Sequence, residues 1–182
     1  MNTNPKYQKS LYGLNFDLSS LVKLYENNIL SNKILLSGPK GIGKSTMAYH
    51  FINYIFSKDE DYSYNLNDFL INPENKSYKL IENQSHPNLF SIDLLDEKKS
   101  IEISQIREML KYANKSSFNN KPRFVLIDNV ENLNINSLNA LLKIVEEPNE
   151  NLFFILVHDC RKKISETLIS RCVTFKLNLT FE

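Results

Sequence analysis

Residues 38–46 read Gly-Pro-Lys-Gly-Ile-Gly-Lys-Ser-Thr, directly after the apolar run Ile34-Leu35-Leu36 and before the spaced residues Met47, Ala48, Phe51, Ile52 and Ile55. A buried strand, a glycine-rich turn and an amphipathic helix in that order match the phosphate-binding loop G-x-x-x-x-G-K-[ST] in its required context. Glycine permits backbone conformations closed to other residues, so successive N–H groups can turn inward around phosphate oxygens. Gly38, Pro39, Lys40, Gly41, Ile42, Gly43, Lys44, Ser45 and Thr46 are therefore the expected nucleotide cradle. Lys44 is expected to reach the β- and γ-phosphates as a point charge, and the Ser45 hydroxyl to ligate Mg²⁺. The expected cofactors are ATP or ADP with Mg²⁺.

Downstream, elements alternate. Phe16 to Leu30 carries apolar residues at near-helical spacing, and Lys44 to about Ser57 continues the loop as a helix. Lys58 to about Asn75 reads as a surface loop with at best a helical piece at Leu66 to Ile71. A short helix is expected over Lys76 to Gln84 and a strand over Asn88 to Leu94. Ile106, Met109, Leu110 and Ala113 define a helix over Ser104 to Ala113, with Ser104 as its expected cap. Phe124 to Ile127 is an uninterrupted apolar run of the kind buried on both faces of a parallel sheet. Asn136 is the expected cap of a helix over Ser137 to Glu147, stopped by Pro148. A strand over Asn151 to Val157, a helix over Lys162 to Ile169 and a strand over Val173 to Leu177 complete the pattern. The implied fold is α/β, a doubly wound parallel sheet of five strands flanked by helices. Residues 1–10 read as a polar tail and residues 11–182 as one nucleotide-binding domain.

Composition removes several classes. With 182 residues and 42% hydrophobic content the chain fills one core of this kind. No run approaches the ~20 apolar residues of a membrane span, so a cytoplasmic protein without a membrane partner is expected. Cys160 and Cys172 lack the companions of a four-ligand zinc site, so no zinc is expected. The balance of 22 basic and 21 acidic residues offers no basic footprint for free-standing nucleic-acid binding.

The strand ending at Ile127 is followed by Asp128, placed to hold Mg²⁺ through its water shell. The strand Asn88 to Leu94 lies in sequence between the loop strand and the Asp128 strand, an order that resembles the additional-strand class of phosphate-loop proteins. That resemblance implies a water-activating Glu directly after the Asp; Asn129 stands there instead, and an amide cannot take a proton from water. Glu131 is the nearest substitute. The chain thus looks equipped to bind ATP and poorly equipped to hydrolyse it.

Beyond the loop, the segments SHPNLFSID, SQIREML, NSLNALLKIVEEPNENLFFILV and the tripeptide Ser170-Arg171-Cys172 resemble the clamp-loader subunits of bacterial DNA polymerase III, over about Leu11 to Leu177. The resemblance implies a P-loop NTPase of AAA+ type. It implies, too, that Arg171 acts as an arginine finger in trans on a neighbour's ATP, and that His158 lies near the γ-phosphate-sensing position. Implied partners are the gamma/tau and delta subunits, with the sliding clamp and primed DNA reached through the assembly. Within the family, the Cys-free stretch Ser57 to Ser85 and Asn129 favour a delta-prime-like member over the hydrolysing gamma/tau type. An autonomous P-loop ATPase or kinase is the reading from another class. The family's helical lid and C-terminal collar have no counterpart in these 182 residues.

Overall fold

The apolar runs form strands β1 (Lys33–Gly38), β2 (Leu89–Ile92), β3 (Arg123–Ile127), β4 (Leu152–Asp159) and β5 (Val173–Lys176) in the computed structural model, which describes residues 3–95, 98–115 and 121–179. Helices α1 (Asn15–Glu26), α2 (Lys44–Ser57), α3 (Lys76–Glu82), α4 (Ile103–Ala113), α5 (Ile135–Glu146) and α6 (Glu166–Ile169) accompany them. All five strands pair in parallel, in the order β2-β3-β4-β1-β5. The chain divides into two compact units, one of Ser31–Lys40 with Asn88–Lys176, the other of Met1–Leu30, Gly41–Pro87 and Leu177–Glu182.

The first unit holds the whole sheet. Strand β3 is buried at every position, as its unbroken apolar run requires. Val125, Ile127, Phe154 and Leu156 share a core with Ile106 and Met109 of α4 and with Leu141 and Val145 of α5. The two ends of α4 are fixed by polar chemistry. At its start Glu102, not Ser104, is the N-cap, in a reciprocal box with Gln105 whose side chain accepts from the Glu102 N–H at 3.1 Å. At its end the buried Arg123 guanidinium donates to the Tyr112 and Ala113 carbonyls at 3.0 and 3.2 Å. Helix α5 is capped by Asn134 rather than Asn136, through a bond from the Ser137 N–H at 2.9 Å. The helix expected from Lys162 shrinks to Glu166–Ile169, because residues 159–162 form a turn in which the Lys162 N–H bonds the Asp159 carbonyl at 2.9 Å.

In the second unit α1 and α3 pack on α2, with Phe51 meeting Tyr25 edge-on at 6.0 Å. Helix α1 stops at Glu26, short of the expected Leu30, where Asn28 takes a left-handed turn (φ 56°). No helix forms at Leu66 to Ile71. That stretch is a turn closed by an antiparallel bridge between Asn65 and Leu70, with Phe69 left-handed. The loop around it is tied down: Ile71 donates to the Lys9 carbonyl at 2.8 Å, and Asn75 bonds Asn53 and the Tyr62 carbonyl while capping α3.

His50 and His86 serve packing here. His50 Nε2 faces the Gln8 carbonyl at 3.2 Å and therefore donates, so its Nδ1 accepts the Tyr64 hydroxyl at 2.8 Å. Burial holds this imidazole neutral, down to a pKa of about 4, against the opposing pull of the Gln8 carbonyl. His86 stacks flat on Phe56 with ring centroids 4.0 Å apart.

A candidate nucleotide-binding site

Strand β1 ends at Gly38 and α2 begins at Lys44, so residues 39–43 make the strand-to-helix turn. Gly41 (φ +87°) and Gly43 (φ +93°) both adopt the left-handed region. A Cβ at Gly41 would meet open space and one at Gly43 only an ordinary contact of 3.8 Å with Leu14, so backbone conformation rather than crowding demands glycine here. Gly43 sits at the N-cap of the 14-residue α2 and has no side chain with which to cap it, the arrangement in which helix N-termini receive anions. Lys44 is buried, while Ser45 and Thr46 follow in the first turn. Left-handed glycines leading into an uncapped helix behind a strand fit a phosphate group.

Parallel pairing brings two of the other expected residues to one edge of the sheet. Gly38 is level with Asp159, and Ile127 with Leu156, so Asp128 and His158 lie at the same C-terminal edge as the start of the loop. Strand β4, which carries His158, separates β1 from β3. His158 is buried, its Nε2 donating to the Lys162 carbonyl at 2.8 Å. Its Nδ1 then accepts from the hydroxyl of Ser37, the residue before Gly38, at 3.0 Å. The imidazole thus links the strand that feeds the loop to the turn after β4.

Around Asp128 several polar contacts appear, most of them with partners distant in the chain. Asn129 is left-handed (φ 55°), its N–H bonds the Asp128 carboxylate at 2.8 Å, and its side-chain amide donates to Asp93 at 2.7 Å. Asparagine tolerates that conformation better than glutamate does. The Glu131 side chain is almost wholly buried, accepts from the Asp159 N–H at 3.2 Å and lies 3.5 Å from Lys162 Nζ. Its carboxylate is engaged at the end of β4.

Arg171 stands apart from these. The register Ile34 with Val173 puts the start of β5 four residue steps before Gly38, about 13 Å along the strand, and Arg171 precedes even that. It is paired with Glu146, the last residue of α5. Neighbouring Cys172 is a neutral thiol, pushed up to about 11 by burial. Among the described residues no group of three or more His, Cys, Asp or Glu is arranged to hold a metal ion. No described helix is long and apolar enough to cross a membrane.

Residues 15–180 match the family described as DNA polymerase III, delta subunit. The DNA polymerase III subunit delta' of Pseudomonas aeruginosa is 28% identical over 139 residues, covering 76% of this chain and 40% of that protein. The subunit tau of Bacillus subtilis is 36% identical over 159 residues, covering 85% of this chain and 27% of that protein. The chain therefore spans less than half the length of these curated relatives. Among solved structures, a DNA polymerase III gamma subunit-related protein of Thermotoga maritima superposes with a TM-score of 0.58 at 21% identity, covering 90% of this chain and 46% of that one. The RuvB Holliday junction branch migration motor of the same organism gives 0.51 at 18% identity, covering 96% and 49%. Sheet order, the strand-to-helix turn and these likenesses agree on an AAA+ phosphate-loop fold, and by its sequence match the chain belongs to the DNA polymerase III delta-subunit family.

Proposed function

We propose that this chain is a delta-prime-like subunit of the DNA polymerase III clamp loader, an AAA+ module that binds ATP or ADP with little turnover and offers Arg171 to a neighbouring subunit's nucleotide. Residues 38–46 hold the phosphates, with Ser45 and Asp128 as the residues for Mg²⁺ and His158 on the strand beside the loop. Under this reading the hydrolysis that switches the assembly takes place on ATP held by a neighbouring subunit, while this chain's own residues would bind and orient a nucleotide that they turn over little. The observation that carries the reading is Asn129, a left-handed residue whose amide is held by Asp93 where a water-activating carboxylate is needed. The place of Arg171, far along the sheet from Gly38, supports action on a neighbour rather than on its own loop. Partners under this reading are gamma/tau and delta subunits in the cytoplasm, with the sliding clamp and primed DNA engaged by the whole assembly.

The 36% identity to a tau subunit favours, as a second reading, a gamma/tau-like hydrolysing ATPase. It requires Glu131 as the base, and the bonds of that carboxylate to Asp159 and Lys162 weigh against it.

ATP binding and steady-state hydrolysis by the purified chain, alone and with its partner subunits, decide between them. Expected are binding that Lys44→Ala abolishes, negligible turnover alone, and assembly turnover that falls when Arg171 is changed to Ala. Robust turnover by the isolated chain, lost in Lys44→Ala and indifferent to Arg171→Ala, would establish the gamma/tau-like reading instead.

A further inference from the structure

Glu146 grips Arg171 side-on. Its Oε1 accepts from Arg171 Nε at 3.0 Å and from Nη2, while Nη1 donates to the Thr167 carbonyl at 3.0 Å. The backbone beneath is equally fixed, since the Arg171 and Cys172 N–H groups bond the Leu168 and Ile169 carbonyls at 3.2 and 3.1 Å. On the other side α5 ends at Glu146, two residues before Pro148, which cannot continue a helix.

A guanidinium carries five N–H donors in one rigid plane. Three are used in these contacts, and each terminal nitrogen keeps one hydrogen. The side chain is 30% exposed and that of Glu146 52%, so the pair is reachable from outside the chain. An exposed ion pair contributes little to stability. What this one does is remove freedom from a long, flexible side chain and set the plane of its remaining donors before any ligand arrives. Immobilisation in advance spares that loss of freedom when the group is used.

We propose that Glu146 is the positioning residue of Arg171, presenting the two remaining donors to an anionic phosphoryl group held by a neighbouring subunit. This rests on the reading of Arg171 as a group acting in trans. A mere latch would make the opposite prediction, because releasing Arg171 would then speed the neighbour's reaction.

The test is ATP hydrolysis by the assembled clamp loader carrying Glu146→Ala, Glu146→Gln, Arg171→Ala or the Glu146→Ala/Arg171→Ala pair. Glu146→Ala is expected to lower kcat about tenfold while KM for ATP stays within about twofold. Glu146→Gln keeps an acceptor oxygen and recovers most of that loss. In the Arg171→Ala background, Glu146→Ala has no further effect. Unchanged or raised kcat in Glu146→Ala, or a loss that simply adds to that of Arg171→Ala, overturns the positioning role while leaving Arg171 as the trans group. An assembly indifferent to Arg171→Ala overturns the trans reading, and the positioning role with it.

Discussion

Asn129 shows how much one residue's backbone can decide. Its left-handed conformation favours Asn or Gly, and its amide is bonded to Asp93, so conformation and hydrogen bonding both select against the glutamate that hydrolysis would call for. Asn129→Ala should destabilise the chain by about 1–2 kcal/mol, and Asn129→Gly by distinctly less, because glycine takes φ > 0 without strain. Urea denaturation of the two variants checks this, and equal midpoints would show that the left-handed backbone carries no cost for alanine. The left-handed glycine turn from β1 into α2 was legible in the sequence because it is a local device, written in consecutive residues. The partners of Asn129, Glu131 and Arg171 were not. Asp93, Asp159 and Glu146 lie 25 to 36 positions away in the chain and meet them only once strands and helices are laid side by side.

At the level of elements, hydrophobic spacing located α4 and α5 and named their buried faces, yet misplaced both N-caps. The stripe of apolar residues specifies which side of a helix is inside and says little about where its first turn opens. Glu102 is an uncommon cap that works here through its reciprocal partner Gln105, and Asn134 outcompetes Asn136 because its side chain reaches the Ser137 N–H. The turn at Leu66 to Ile71 fails as a helix for the opposite reason: a six-residue apolar spacing is too short to outweigh a bridge with long-range partners. Strand β3 also terminates a helix. Arg123, buried within it, donates to the last carbonyls of α4, a role invisible in an apolar run that opens with a cation. Arg123→Met keeps the stem and loses those bonds, and should cost about 2–3 kcal/mol of unfolding free energy. Hydrogen exchange should then show the last turn of α4 exchanging faster while β1 keeps its protection.

For the whole molecule, the five-stranded parallel sheet followed from the alternation of elements, whereas the spatial order of the strands, with β4 between β3 and β1, is set by packing alone. Global stability should depend on pH through His50. The unfolded chain binds a proton on this imidazole near 6.5, the folded chain not until about 4, so the unfolded state binds more protons between those values. The contribution is complete above 6.5, declines as pH falls through that window, and amounts to about 3 kcal/mol at most. Denaturant midpoints at several pH values should show this slope, and His50→Gln should flatten it; an unchanged slope in the variant would show that another group is responsible.

The opposed placement of Gly38 and Arg171 along the sheet has a further consequence for assembly. Under the proposed reading the two ends of the strands are unlike terminals, one receiving and the other giving. Subunits joined through such terminals share no two-fold axis and must follow one another head to tail, as in a ring or an open spiral. In an open row, the member at one end has a donor with nothing to act upon, and the member at the other has a nucleotide with no donor. A subunit that hydrolyses poorly loses least by standing in the second of those places.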